Sequence, residues 1–389
     1  MRSHSNHRAQ ATRFAAMTLQ ILGMTLMDGS PSAAQDQPAA APAAARADDN
    51  GGITLPPGFC ATVVADNVGH ARHLVVAPNG VVYVNTWSRR YYGNDTPPPG
   101  GFLVALQDHD GDGQADTTVR FGGTLAQGAH GGTGIALYDG SLHAEANDRI
   151  VRYELPDDAI APTGSPKTIV SGLPLTGDHP MHPFAIDARG GLYVNSGSAT
   201  NACQVENRMP QSPGHRPCTE LATRAGIWRY DANRTGQRFS ATERFATGIP
   251  NAGGSAVDPN GLGIYATQHG RDQLAENWPS LDQAEQGANL PAEELLRVER
   301  GADYGWPECY FDDTRHRLVL APEYGGDGGE AVGPCARKGG PVAVFPAHWA
   351  RNDLLLYRCQ LWMPRALLSR SESPELGLQR PAYGEYRER

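Results

Sequence analysis

The sequence lacks the features that would place it in most other classes. Its six cysteines include no Cys-x-x-Cys-His and no zinc-ligand spacing, which excludes attached c-type haem and a zinc-nucleated fold. No stripe of Lys and Arg occurs and the net charge is -9, which excludes a nucleic-acid surface, because phosphate binding needs clustered cations. Apart from one run near the start, no apolar stretch approaches the length that spans a bilayer, so no membrane span is expected in the folded part. Long helical periodicity is nearly missing too; only 281–296 suggests a helical turn or two.

Glycine (46) and proline (30) are plentiful, which suits an all-β chain with many tight turns. The start reads as a targeting segment. Arg2, Arg8 and Arg13 precede an apolar run from Phe14 to Met27, and Ser32-Ala33-Ala34 supplies small residues for cleavage. Residues 1–34 are therefore predicted to be a signal peptide and 35–50 an Ala/Pro-rich linker, making the mature protein periplasmic or secreted. Export permits disulfides. Cys203 with Cys218, and Cys309 with Cys335, lie close in sequence within loop-like stretches and are expected to pair. Cys60 sits in a strand-like run (59–65) and reads as a buried thiol.

One pattern recurs: a short apolar run, a Gly-containing turn, then a second apolar run containing Tyr or a similar residue. It appears as HLVVAPNGVVYVNT (His73 to Thr86), GIALYDGSLHAEA (from Gly134), FAIDARGGLYVNSG (from Phe184) and SAVDPNGLGIYATQHG (from Ser255). The turn glycines Gly80, Gly140, Gly191 and Gly261 are roughly fifty to seventy residues apart, the spacing of propeller blades with long loops. A third strand follows each hairpin: FLVALQD from Phe102, RIVRYEL from Arg149, GIWRYDA from Gly226 and ELLRVER from Glu294. No such unit can bury both its faces alone, but radial stacking lets each sheet cover its neighbour. Four repeats are clear, the run at 59–65 adds a strand, and a fifth repeat is expected to begin at Pro341.

Several stretches then carry a family signature: LPPGF (Leu55 to Phe59), GDHPMHPFAID (Gly177 to Asp187), LYVNSGSATNAC (Leu192 to Cys203), TQHGRDQLAENWP (Thr267 to Pro279) and PAEELLRVERGADYGWPECY (Pro291 to Tyr310). In this order they resemble the soluble pyrroloquinoline-quinone (PQQ)-dependent glucose/sorbosone dehydrogenases, in the sorbosone dehydrogenase branch, over about 55–357. The resemblance implies a six-bladed β-propeller with PQQ, Ca²⁺ and a sugar at its central mouth, and an external electron acceptor such as a cytochrome. By position, His179 resembles the catalytic base, a role imidazole suits because it titrates near working pH. His130 and Asn251 fall where the family contacts the cofactor, and Gly270 and Arg271 where backbone carbonyls hold Ca²⁺.

A second metal candidate needs no resemblance. Asp108, Asp110, Asp112 and Asp116 stand at positions one, three, five and nine of a loop with Gly113 at six, a spacing that wraps oxygens around a Ca²⁺-sized ion. Position twelve is Val119, so the bidentate Glu of an EF-hand is missing and a structural calcium loop is expected.

Two departures bear on function. The family run Gly-Ile-Arg-Asn reads here Gly248-Ile249-Pro250-Asn251, removing a cation and a backbone donor. After Tyr357 the resemblance stops, and 358–389 reads as a divergent, frameshifted or disordered tail. The expected fold is thus an all-β, six-bladed propeller type that is incomplete, with about five blades spanning 51–357 and two sheet faces left uncovered. Base-assisted oxidation of an aldose or sugar aldehyde with PQQ is the leading functional reading. A calcium-dependent propeller lactonase or hydrolase, and a catalytically inactive relative, are the alternatives, since propellers host many functions.

Overall fold

Each repeated turn in the sequence closes a hairpin. Gly80, Gly140 and Gly190 adopt φ of 84°, 67° and 84°, a left-handed conformation that glycine enters without a Cβ penalty. The computed structural model describes residues 50–356 except 56, 58, 87–98, 157–158, 259 and 262. The predicted signal segment, all of the linker but Asn50, the tail from 357 and Cys359 lie outside the described residues. No helix among the described residues is long and apolar enough to cross a membrane.

Four antiparallel sheets follow one another. The first is β1 (Ala71–Val76), β2 (Val82–Thr86), β3 (Leu103–Gln107) and β4 (Thr117–Phe121), hydrogen-bonded in that order. The second is β5 (Gly131–Tyr138), β6 (Ser141–Ala146), β7 (Arg149–Glu154) and β8 (Lys167–Ser171). The third holds β9 (Phe184–Ile186), β10 (Gly191–Ser196) and β11 (Gly226–Asp231). After it β12 (Gln237–Arg238) returns to pair in parallel with β8, and β13 (Arg244–Thr247) completes the third sheet. The fourth is β14 (Ala252–Val257), β15 (Ile264–Gln268) and β16 (Glu293–Val298). Two short helices, α1 (Leu274–Asn277) and α2 (Ala284–Asn289), and the hairpin β17 (Cys309–Asp312) with β18 (Arg317–Leu320) are inserted around β16. Finally β19 (Ala343–Phe345) pairs with β16.

The first strands of all four sheets, β1, β5, β9 and β14, line one cavity of about 680 Å³, the propeller-like arrangement that the repeats imply. Successive sheets pack face to face. Tyr83, Leu103, Leu142 and Tyr153 fill the space between the first and second; Ile150, Ile169, Leu192 and Trp228 fill that between the second and third. Ile227, Ile249, Ala266 and Leu296 do so between the third and fourth. Middle strands are therefore covered on both faces, and β10 is buried at every position rather than at alternate ones.

Several expectations are corrected. The strand at 341–357 does not open a fifth blade: its ordered part, β19, is the outer strand of the fourth sheet, because Glu293, Glu294 and Leu295 pair with Phe345, Val344 and Ala343. The blade count thus differs from about five: the described residues form four sheets of four or five strands and one separate hairpin. Residues 59–65 form no strand and add none to the first sheet; Ala65 and Val68 instead lie against Val84, Val104 and Leu106. Cys60 is accordingly exposed, not buried. Both predicted disulfides are present, Cys203–Cys218 and Cys309–Cys335, and the suggested helical turn is α2. Between the fourth sheet and the first runs the segment 351–356. The Arg351 carbonyl accepts from Thr267 Oγ1 at 3.1 Å, the Asn352 carbonyl meets His73 Nε2, and Asp353 to Leu356 line the central cavity.

One polar position repeats with the blades. Five residues past Gly80, Gly140 and Gly190 stand Asn85, Glu145 and Asn195, all buried, each tying its sheet to the next. Asn85 donates to the Gly134 carbonyl (2.9 Å), Glu145 accepts from His182 N (3.1 Å), and Asn195 accepts from Ala252 N (3.3 Å). In the fourth sheet the position is Gln268, whose amide donates to Glu294 Oε1 (3.0 Å), while Gln268 Oε1 and Glu294 Oε2 meet no partner among the described residues. Burial pushes the Glu294 carboxyl up to about 8. The folded state therefore keeps a proton that the unfolded chain releases above its ordinary value of 4.5, so this residue costs stability progressively as pH rises from there to about 8. Each raised unit corresponds to about 1.4 kcal/mol. Replacing Glu294 with Gln is expected to raise Tm by several degrees at the upper end of that window and hardly at its lower end. Equal shifts in thermal melts at both ends would contradict the assignment.

Candidate active site

The loops that leave the sheets at the end marked by Asn85, Glu145, Asn195 and Gln268 carry the predicted site residues. His179 precedes β9, Asn251 precedes β14, and Gly270 and Arg271 follow β15. The structure brings the first two loops together through Pro250: its carbonyl accepts from Ser198 N at 2.7 Å, and His179 N donates to the Ser198 carbonyl at 3.1 Å. Gly197 is required here, since a Cβ would lie 2.5 Å from the His179 Cβ and 3.0 Å from the Pro250 carbonyl.

Hydrogen bonding fixes the His179 tautomer. The Ser198 hydroxyl donates its single hydrogen to the Thr200 carbonyl (2.7 Å), so at the 2.9 Å contact between Ser198 Oγ and His179 Nδ1 the ring nitrogen is the donor. Nε2 then keeps its lone pair. Burial lowers the His179 pKa to about 4, against the opposing pull of Asp178 and Asp272. A neutral imidazole with a free Nε2 is the form a general base requires.

His269 has the opposite arrangement. Asn251 Nδ2 donates to its Nδ1 at 3.2 Å and its Nε2 donates to the Arg351 carbonyl at 3.0 Å, so its lone pair is already used. Asn251, predicted to contact a cofactor, thus spends one amide hydrogen on His269. His130 lies just before β5 and contacts its own hairpin: its backbone N donates to Asn147 Oδ1 (2.8 Å) and its Nδ1 to the Gly131 carbonyl (3.3 Å).

A cation stands beside this group that motif reading missed. Arg208 pairs with Asp178 at 2.9 Å and with Asp272 at 3.0 Å, linking the loop before His179 to the loop after Gly270. The two carboxylates keep the guanidinium charged despite partial burial. Arg208 has φ of 63°, in a loop closed by Cys203–Cys218, and no local pattern announces it. Ser198 and His269 do lie inside recognisable motifs, but only their partners in space give them roles.

The predicted carbonyl pair is placed differently from its side chains. A Cβ on Gly270 would lie 2.9 Å from the Pro291 carbonyl oxygen and 3.3 Å from that of Ala292, so two backbone oxygens stand close beside this turn. The Arg271 side chain turns away into a buried ion pair with Glu323. At the outer loop, carboxylate atoms of Asp108, Asp110 and Asp116 lie within 4.8 Å of one another. Asp112 is not among them; its carboxylate accepts from Gln114 N at 2.7 Å. Backbone N–H groups of Gly113 and Gly111 hold Asp108 below the ordinary carboxylate range, ready-charged.

A family model described as TrAA12-like matches residues 53–317. The chain belongs to the TrAA12-like family. Solved structures agree on the fold. The iodide structure of Trichoderma reesei Carbohydrate-Active Enzymes Family AA12 superposes with a TM-score of 0.56 at 17% identity, covering 75% of this chain and 71% of that one. The holo form of the pyranose dehydrogenase PQQ domain from Coprinopsis cinerea gives 0.55 at 16% identity, covering 73% and 67%. No curated protein matches the chain. The TrAA12-like assignment and these neighbours bear out the likeness to soluble PQQ-dependent sugar dehydrogenases that the motifs carried.

The tautomer and pKa of His179 can be read directly. Nitrogen-detected NMR at neutral pH is expected to show Nδ1 protonated and Nε2 bare, with protonation setting in only near pH 4. A midpoint near 6.5, the ordinary imidazole value, would overturn the assignment.

Proposed function

We propose that this chain is an exported oxidoreductase that oxidises an aldose or sugar aldehyde, sorbosone-like in class, with PQQ as hydride acceptor and an external electron acceptor downstream. The observation that carries the reading is His179, neutral, with Nδ1 donated to Ser198 and Nε2 free. Its Nε2 takes the proton of the hydroxyl on the reacting carbon, that of an aldose hemiacetal or of a hydrated aldehyde, as the carbon-bound hydrogen leaves with its electron pair. Hemiacetal thus becomes lactone, or hydrate becomes acid, and the acceptor gains two electrons. PQQ, when bound with Ca²⁺, supplies the electrophilic carbonyl that accepts the hydride. Gly270 and Arg271 would hold the ion through backbone oxygens, and Asn251 and His130 would contact the quinone. Arg208 is the cation beside this loop, but its charge is met by Asp178 and Asp272, so it orders the loops and does not replace the cation that Pro250 lacks.

Family membership supports this reading, as do two similar structures, the PQQ domain of the Coprinopsis pyranose dehydrogenase and the calcium structure of the Trichoderma enzyme. A hydrolase would pool carboxylates around a water-activating ion at the mouth. Here Asp178 and Asp272 are engaged by Arg208 instead, which favours the quinone chemistry.

Reconstitution of the folded chain with PQQ and Ca²⁺ is expected to give aldose- or sorbosone-dependent dye reduction. His179→Ala should lower kcat by about 10²- to 10⁴-fold, the range of positioned acid–base groups. Dye reduction that persists undiminished in His179→Ala would sink the mechanism. The loop of Asp108, Asp110 and Asp116 we assign to a structural Ca²⁺, with Asp112 supporting its turn. Saturating calcium should then raise Tm by a margin equivalent to about 2.7 kcal/mol at a hundredfold excess over Kd, and Asp108→Asn should abolish the response. A melt indifferent to calcium would remove the assignment.

A further inference from the structure

The carboxylate of Glu145, at the end of β6, gathers five hydrogen bonds. Its Oε2 accepts from Thr133 N (2.8 Å), Gly134 N (3.0 Å) and Thr133 Oγ1 (3.2 Å). Its Oε1 accepts from His182 twice, at the backbone N (3.1 Å) and ring Nδ1 (3.0 Å). Both side chains are buried, at 4% and 0% exposure, and His182 Nε2 meets no partner among the described residues.

The backbone is shaped to admit this pair. A Cβ on Gly132 would lie 2.1–2.5 Å from the Glu145 carboxyl atoms, and one on Gly134 would lie 2.6 Å from the His182 carbonyl and 2.3 Å from the Phe184 ring. Glycine is thus required twice within three residues of β5. Burying a carboxylate is a poor source of stability, because its desolvation cancels most of what its partners return. Its value here is geometric. His182 lies three residues beyond His179 in the run His179-Pro180-Met181-His182-Pro183, where two prolines fix φ and remove slack. One end of this short stiff arm is held at Ser198; at the other, the Pro183 carbonyl accepts from Asn195 N of its own sheet at 3.0 Å, and the His182 side chain is held from the neighbouring sheet by Glu145.

We propose that Glu145 and His182 are positioning residues for His179: the second sheet, through one carboxylate, sets where the base of the third sheet stands. The proposal rests on the reading of His179 as the base. It assigns a role in the reaction to two residues that touch neither substrate nor cofactor. The Glu145 carboxyl supports it: burial would raise its pKa, yet the His182 ring and the Gly134 and Thr133 N–H groups hold it below the ordinary range, so all five donors keep an ionised acceptor.

The test compares amide hydrogen exchange of the full chain, wild type against Glu145→Gln and His182→Ala. Peptides covering 177–183 are expected to exchange about tenfold faster in both variants, the size of losing one well-made anchor, while β10 and β11 keep their protection. His182→Ala leaves the three bonds to Thr133 and Gly134 intact, so it reads the arm alone should Glu145→Gln fail to fold. With PQQ and sugar, kcat should fall about tenfold with KM unchanged, because a displaced base weakens the transition state and not binding. Unchanged exchange at 177–183, or faster exchange spread evenly over β5 to β10, would overturn the proposal and leave the pair a fold staple. A wild-type chain without dye reduction would instead remove the functional reading, while the exchange result would still decide the coupling.

Discussion

The arrangement depends on a polar tie that each sheet makes to its successor. Stacked apolar faces, such as Tyr83 and Leu142 or Trp228 and Leu192, supply most of the favourable burial. Such contacts are non-directional and tolerate sliding. Asn85, Glu145 and Asn195 are not tolerant, since a buried donor or acceptor that loses its partner costs about 1–3 kcal/mol. They fix the register between sheets at the end where the loops converge. His179, Ser198, Asn251 and His269 come from two successive sheets, so their mutual distances inherit whatever accuracy that register has.

Much of the fold was legible because its signals are local. A Gly turn flanked by apolar runs specifies a hairpin, and the four third strands starting near Leu103, Arg149, Gly226 and Glu293 are where the sequence pattern put them. The two disulfides follow from proximity in loops. The misplaced features are those decided by partner choice. The run at 343–345 has the composition of a strand beginning a blade, but nothing local says that it pairs with β16 after an insertion of more than forty residues. The run at 59–65 looks like a strand too, but it pairs with neither edge of the first sheet and packs on it through side chains instead. Cys60 was misread for the same reason.

The site divides the same way. His179, Asn251 and Gly270 stand within long motifs and could be named from them. Arg208 could not, since a lone arginine in a Pro/Gly-rich loop carries no signal until two aspartates from distant loops are found beside it. The carboxylate loop was legible in its spacing, yet only three of its four aspartates converge, and spacing alone does not say that Asp112 is the one that stands apart. Pro250 reads in sequence as a loss, whereas in space its carbonyl holds Ser198, the residue that orients the imidazole.

The bridge between Cys203 and Cys218 encloses the segment that carries Arg208 and its left-handed backbone. Trp306 and Leu221 pack on the two sulfurs' surroundings, so the segment has a floor but little secondary structure of its own. The crosslink cuts the chain entropy of this segment. It adds a covalent tie to the bonds that Gln211 N and Gly214 N make to the carbonyls of Asn277 and Glu323 and to the ion pairs of Arg208. In reducing surroundings the same loop would keep its ion pairs and hydrogen bonds but lose its one covalent tie, which makes the placement of Arg208 the part of this site that answers to thiol chemistry.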